Sequence, residues 1–345
     1  MRFVGNKIFV VPASVLVGAN ASGAVELGID VTESNGYALL KNKRVGLVTN
    51  QTGVDSRGVR TRVWLRKNCN LVALYAPDHG LDGTQKAGRY VRTCRDPLTG
   101  LTVHSLYGPT RKPTPAMLRG IDTLVFDLQD IGCRSYTYIS TMTKCMEAAA
   151  ENHIEFVVLD RPNPLGGLRV EGPLVEPQWI SFVGQIPVPY VHGMTCGELR
   201  APDQWQRMGR SLRLKSCADA RLAAQLQRGK RQLVHRYMNS QHLGGISFSE
   251  YRSDAVGGSS LHIDPTAAGD LTAVNIYALA QMNRQLRTNL ITRSSRGKRE
   301  MFFKCRGSSS IAFQFAGGIA PARIVASWSE DVTGFKGERS QYLLY

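Results

Sequence analysis

Nothing in this 345-residue sequence matches the common phosphate-binding or serine-nucleophile signatures. No GxGxxG or GxxxxGK[ST] pattern follows a strand-like segment, which argues against NAD or ATP as an obligatory ligand. No GxSxG elbow occurs, so a serine mechanism of the α/β-hydrolase kind has no support. The seven cysteines (Cys69, Cys94, Cys133, Cys145, Cys196, Cys217, Cys305) form no CxxC pair, and none sits near a histidine at metal spacing. Structural zinc is therefore not expected, and an odd, scattered set does not read as a disulfide framework. Acidic residues are in short supply, 27 Asp and Glu against 43 Lys and Arg, for a formal charge of +16.

That surplus is local. Residues 200–306 hold 19 Lys and Arg but only 7 Asp and Glu. A basic stretch can face nucleic acid or an anionic polymer. No zinc-finger spacing, RNP-type aromatic motif or heptad accompanies it. The plain reading is a solvated Arg-rich face, and nucleic acid is not an expected partner. With 43% hydrophobic and 20% charged residues, the chain can bury a sizeable core as one large domain or two ordinary ones.

The N-terminus reads as an export signal. Arg2 and Lys7 form a basic start, residues 8–17 a short apolar run, and Ala19-Asn20-Ala21 a small-x-small cleavage site. The run is too short for a permanent membrane span. The mature chain is expected to start near Ser22 or Val25 and to work in the periplasm or outside the cell, with no transmembrane anchor. The alternative is that the run is a buried first strand.

The first half alternates strand and helix patterns. Strands are expected over 43–50, 70–77, 122–130 and 154–164, and helices over 61–68, 138–153 and from Thr114, with Pro115 in the first turn. The near-continuous apolar strands imply a Rossmann-like, doubly wound, mostly parallel sheet covered on both faces. The expected organisation is a leader over 1–24, this domain over 25–200, an Arg-rich linker over 201–236, and a smaller α/β or α+β domain over 237–345. Helices are expected there over 270–287 and 321–330.

Each strand ends in polar residues: Asn50 and Gln51; Asp78 and His79; Asp127, Gln129 and Asp130; Asp160, Arg161 and Asn163. In an open parallel sheet these ends face one crevice. Two carboxyls flanking a sugar are what glycosidic hydrolysis usually requires. The candidates are Asp78, Asp127, Asp130, Asp160 and Glu171, with His79 placed to orient Asp78. Arg134, Tyr136 and Tyr138 add a cation and stacking rings at a helix start.

These segments carry a resemblance. "KRVGLVTNQTGVD", "YAPDHGLDG", "SLYGPTRKPTPAML", "LVFDLQDIGCRSYTYISTM", "FVVLDRPNPLGG", "VEGPLVEP" and "PVPYVHGMTCGEL", with the terminal "GERSQYLLY", resemble bacterial peptidoglycan exo-β-N-acetylmuramidases of the NamZ type, once catalogued as a domain of unknown function. The resemblance is close over 43–199, patchy over 237–345 and absent between. It implies an exo-acting glycosidase without a nucleotide cofactor or metal. Such an enzyme removes N-acetylmuramic acid from the non-reducing end of cell-wall fragments, in wall turnover and recycling. It also implies Asp78 as general acid beside His79, with Glu171 or Asp127 as second carboxyl. Asn50, Gln129, Asp130, Arg134, Tyr136, Tyr138, Arg161, Asn163 and His192 would line the sugar site, and by its charge Arg134 is a natural partner for the lactyl carboxylate of muramic acid.

Two departures stand out. Position 78 is Asp where the family has the Glu of a "PEHG" motif, and an Arg-rich stretch replaces a polar inter-domain segment. Cys133 and Ser135 also stand where small apolar and aromatic residues are usual. The departures predict weakened turnover; the alternative reading is a degenerate protein that binds muramyl sugars or wall polymer without cleaving them.

Overall fold

The computed structural model describes residues 25–86, 88–199 and 270–344, together with the backbone of 7–11, 14–15, 213–215, 246–252 and 257–263. Its strands are β1 (Lys7–Val11), β2 (Ser14–Val15), β3 (Val25–Glu26), β4 (Arg44–Thr49), β5 (Asn70–Ala76), β6 (Cys94–Arg95), β7 (Thr102–Ser105), β8 (Thr123–Asp127), β9 (Glu155–Leu159), β10 (Arg213–Lys215), β11 (Ile246–Arg252) and β12 (Gly257–Ile263). Its helices are α1 (Gly28–Ser34), α2 (Thr61–Asn68), α3 (Tyr138–Glu151), α4 (Leu271–Gln285), α5 (Leu290–Arg293), α6 (Arg296–Arg306), α7 (Ser310–Ala316), α8 (Pro321–Ala326) and α9 (Ser329–Arg339).

Eight strands form one sheet in the order β10-β1-β9-β8-β4-β5-β7-β6, parallel except for the β6–β7 edge pair. The doubly wound α/β expectation holds, and strand alternation explains it. Leu124 and Phe126 of β8, with Phe156 and Val158 of β9, enter one core alongside Ile139, Met142 and Met146 of α3. Val125, Val157 and Leu159 point the other way, to Ile29 of α1 and Leu65 of α2. Every second residue is apolar for a different layer, so the strands read as continuous hydrophobic runs.

The chain leaves β4 through α2 to β5 on one face, and joins β8 to β9 through α3 on the other. The winding direction therefore reverses between β4 and β8, which pair from Val45↔Thr123 to Thr49↔Asp127. Ligands bind beyond the carboxyl ends at such a reversal.

The helix expected from Thr114 does not form. Leu118 N–H bonds the Thr114 carbonyl, Arg119 that of Ala116 and Ile121 that of Leu118, a mixed turn. Gly120 then takes a left-handed φ of 77°, and Asp122 N–H returns to the Arg44 carbonyl at 2.9 Å. The left-handed Gly120 and the return to β4 at Asp122 end the segment before a regular helix is established. The helix expected over 321–330 is two: α8 stops, and α9 begins after Trp328.

Ile276, Ile311, Ile324 and Trp328 give the C-terminal helices a small core of their own, while Phe335 and Leu344 join the α3-side core of the sheet. Of the expected linker, 213–215 is β10, and the remainder lies outside the described residues. Within the run read as an export signal, Lys7–Val11 is β1, paired in parallel with β9. No described helix is long and apolar enough to cross a membrane.

Candidate active site

β5 and β7 are parallel neighbours with Ala76 opposite Ser105. Extending that register by two residues brings Asp78 beside Tyr107, beyond the carboxyl edge of the sheet. The loop after β5 turns sharply: His79 has φ 67° and Gly80 φ 77°. A left-handed histidine is uncommon, and such backbone clusters at working sites. The turn lets Asp78 Oδ1 accept the N–H groups of His79 (3.0 Å) and Gly88 (3.3 Å). Oδ2 accepts no hydrogen bond among the described residues and lies 4.0 Å from His79 Nε2. His79 Nδ1 is 2.8 Å from the Gln85 carbonyl. A carbonyl only accepts, so Nδ1 carries a proton in this contact, and Nε2 is the ring nitrogen turned toward Asp78.

Tyr107 and Tyr138 both sense this carboxyl. Burial raises each phenol above the usual tyrosine range, and the charge of Asp78 adds to it. Tyr138, at the first turn of α3, accepts a 2.6 Å hydrogen bond from Asn50 Nδ2 at the tip of β4. Asn50 Oδ1 accepts from both the N–H and hydroxyl of Thr52. The half-buried Tyr136 ring meets Tyr138 edge-on, with centroids 4.5 Å apart.

Across the reversal sits a buried polar layer. Asp127 is sealed at 0% exposure, with Oδ1 held 2.6 Å from Arg161 Nε. Arg161 also donates to the Val54 carbonyl. Asp160 accepts from Arg161 N–H, Gly197 N–H and the Thr195 hydroxyl. Asn163 donates to the Met194 carbonyl and accepts from Leu165 N–H. Gln129 donates to the carbonyls of Asp130 and Pro162. His192, fully buried, accepts Met194 N–H on Nδ1, so its proton sits on Nε2, 3.8 Å from Asp130 Oδ2. Asp130 Oδ2 accepts Gly132 N–H at 2.7 Å.

Asn50, Gln129, Arg161, Asn163, Tyr138 and His192, expected to line the sugar site, each bond other groups of the protein. The mutual bonding is incomplete: Asp127 Oδ2, Asp130 Oδ1 and His192 Nε2 are buried with no hydrogen-bond partner among the described residues, which leaves polar atoms for a ligand or water to meet. Arg134, expected to face a ligand's carboxylate, is at 0% exposure and donates to the carbonyls of Pro173, Val188 and Arg306. Desolvation pushes it down to about 10.

Glu171 sits at the junction with the C-terminal helices. Its Oε1 lies 2.5 Å from Arg169 Nη1 and its Oε2 accepts Thr272 N–H in the first turn of α4. Burial, then the charge of Asp270, raise Glu171 above the ordinary carboxylate range. Burial likewise raises the Cys133 thiol to about 11, with Asp130 and Glu171 adding to it, so both acids lie within electrostatic reach of that residue.

Sequence reasoning missed Tyr107, Arg111, Phe182 and Tyr190. Arg111 Cζ lies 5.1 Å from the Tyr107 ring centre and 4.3 Å from that of Phe182. Tyr190 receives the Ser135 hydroxyl and lies 5.1 Å from Arg306 Cζ. The available signal was the pattern of an aromatic and a basic residue four apart just past β7.

Two family models match the chain: "Exo-beta-N-acetylmuramidase NamZ, N-terminal" over 45–215 and "Exo-beta-N-acetylmuramidase NamZ, C-terminal" over 217–345. Peptidoglycan beta-N-acetylmuramidase NamZ of Bacillus subtilis (strain 168) is 51% identical over 177 residues, 51% of this chain. That match spans 43% of the relative's own length, less than half of it. Two crystal structures of DUF1343 family proteins from Bacteroides fragilis NCTC 9343 are also similar. One has a TM-score of 0.77 at 33% identity, covering 93% of this chain and 98% of the other. The second has a TM-score of 0.64 at 25% identity, covering 93% and 99%.

Proposed function

The chain belongs to the NamZ exo-beta-N-acetylmuramidase family, and from that premise we propose that it is an exo-acting glycoside hydrolase releasing N-acetylmuramic acid from the non-reducing end of peptidoglycan fragments. One observation carries the reading beyond family membership. Past the carboxyl end of β5, the neighbour of β4, Asp78 has one oxygen fixed by two backbone N–H groups and the other without a donor among the described residues.

In this reading Asp78 Oδ2 carries the proton that goes to the glycosidic oxygen as the bond to the anomeric carbon breaks. The oxygen of a water molecule bonds to that carbon, and its proton passes to the second carboxyl. Glu171 suits that role better than Asp127, which is sealed and paired with Arg161. The raised pKa of Glu171 makes it the stronger base, and Arg169 offsets part of that rise. Half-exposed His79, with Nε2 4.0 Å from Asp78 Oδ2, takes up a solvent proton on Nε2 and passes it to Asp78, while Glu171 returns the proton it gained to solvent. Every residue in this scheme belongs to the chain itself. Export to the periplasm or medium is part of the same proposal, because the substrate is made of cell wall.

The test is a defined disaccharide, N-acetylmuramic acid linked β-1,4 to N-acetylglucosamine, with the products separated by chromatography. Both monosaccharides should accumulate with the wild-type protein and not with Asp78→Asn. Saturable binding of intact disaccharide without cleavage would reject the hydrolase reading.

A further inference from the structure

We infer that Arg111 builds a carboxylate-binding subsite at the rim of the Asp78 crevice, and that its ligand is the lactyl carboxylate of the muramyl residue. The inference rests on the proposed substrate class and names the residue that reads it.

Four observations lead to it. First, position: Tyr107 follows β7 as Asp78 follows β5, and the two tips are adjacent in register. Arg111 Cζ lies 5.1 Å from the Tyr107 ring centre, and Tyr107 is within electrostatic reach of Asp78 as well. Second, fixation: the guanidinium lies against Tyr107 and Phe182, whose ring centres are 6.1 Å apart. Stacking holds the plane of an arginine while its N–H edge stays outward. Third, availability: Arg111 is exposed and has no hydrogen bond or ion pair among the described residues. Its neighbour Lys112, by contrast, is paired with Glu151 at 2.6 Å.

Fourth, the backbone makes room. Gly88 N–H reaches Asp78, and Val91 N–H bonds the Tyr107 carbonyl at 3.1 Å. The loop bearing Tyr90 thus lies along the Tyr107 tip. The Tyr90 ring occupies the space a side chain at Gly108 would need, yet remains 54% exposed. The rim therefore offers one oriented fork and one open aromatic face beside the acid. A free carboxylate next to a sugar ring is the chemistry that pair fits. Arg134, the arginine first expected to do this, is enclosed by carbonyls.

Titration calorimetry on the Asp78→Asn protein, chosen so that turnover does not obscure binding, tests the subsite. Three probes are compared: N-acetylmuramic acid, its neutral lactyl amide, and N-acetylglucosamine. The expected result is tighter binding of N-acetylmuramic acid than of either neutral sugar. Adding Arg111→Ala should cost roughly tenfold or more for the acid alone, the scale of a charge-assisted bidentate contact. Arg111→Lys should recover part of the preference, and Phe182→Ala should weaken it without removing the charge. Equal binding of acid and amide by the Arg111-intact protein would overturn the subsite. So would an equal loss for all three sugars in Arg111→Ala. Arg111-dependent preference in a protein whose parent cleaves nothing would support the subsite and reject the hydrolase. Cleavage by the parent with no such preference would reject the subsite alone.

Discussion

Arg134 Nη2 donates a 2.6 Å hydrogen bond to the backbone carbonyl of Arg306, 172 residues further along the chain. Its Nη1 holds Pro173 and Val188 carbonyls at 2.8 and 2.6 Å. A cation that looked like a ligand contact in the sequence therefore ties α6 to the loops beyond β9. Gly307 follows with φ 73°, and a side chain there would strike the Arg134 guanidinium.

Arg134→Ala leaves three carbonyls without that donor. It should cost about 3 kcal/mol or more of unfolding free energy, read by urea titration of tryptophan fluorescence. Below the new unfolding midpoint, binding of N-acetylmuramic acid should weaken no more than that of N-acetylglucosamine. A loss confined to the carboxylate sugar would place Arg134 in the ligand site after all.

Glu171 predicts the acid limb of the rate profile. Burial and Asp270 hold its pKa above the ordinary glutamate value. As pH falls through that raised value the base is protonated and the rate drops, earlier than for a solvated glutamate. Asp270→Asn removes the neighbouring charge, while asparagine can still cap α4, whose Ala273 N–H bonds Asp270. The acid limb of kcat/KM should then move to lower pH. An unmoved limb would take Glu171 out of the proton budget.

Much of this arrangement was legible in the sequence, for reasons that differ by element. β4, β5, β8, β9, α2 and α3 followed from local pattern, because strands buried on two faces leave little freedom. The strand-tip acids were found because parallel topology fixes which end carries them. Which polar tip faces solvent was not legible: Asn50, Arg161 and Asn163 look the same in sequence whether they bond a sugar or Tyr138, Asp127 and Met194. That choice is set by packing between segments 31 to 88 residues apart. Arg111 was missed because its meaning depends on Phe182, 71 positions away, closing over it. The 114–121 segment has good helix residues, but the return to β4 overrides them.

The chain end is fastened by one buried acid. Glu198 accepts Leu344 N–H on Oε1 and Thr195 N–H on Oε2, and burial raises its pKa. Glu198→Ala leaves both N–H groups unpaired and should cost about 2–3 kcal/mol in chemical denaturation. Glu198→Gln keeps one acceptor and should recover part of that. A neutral effect of both would mean that the terminal segment contributes no stability.

Export makes a prediction about β1. Cleavage before Ser22 or Val25 would remove the strand that pairs with β9. Edman sequencing of protein recovered from periplasm or medium should begin at one of those residues. Recovery of an N-terminus at Met1 from the cytoplasm alone would make β1 a permanent strand and remove the export proposal.

The central claim is that the Asp78 carboxyl cleaves a muramyl glycoside, and release of a chromophore from a β-linked chromogenic N-acetylmuramic acid glycoside measures it directly. Wild-type protein should release chromophore, and Asp78→Ala should reduce kcat by about 100-fold or more. Asp78→Glu, which advances the carboxyl by one methylene, should raise kcat, since a misplacement of about 1 Å can cost on the order of 100-fold. Wild-type release no faster than that of Asp78→Ala would contradict the account.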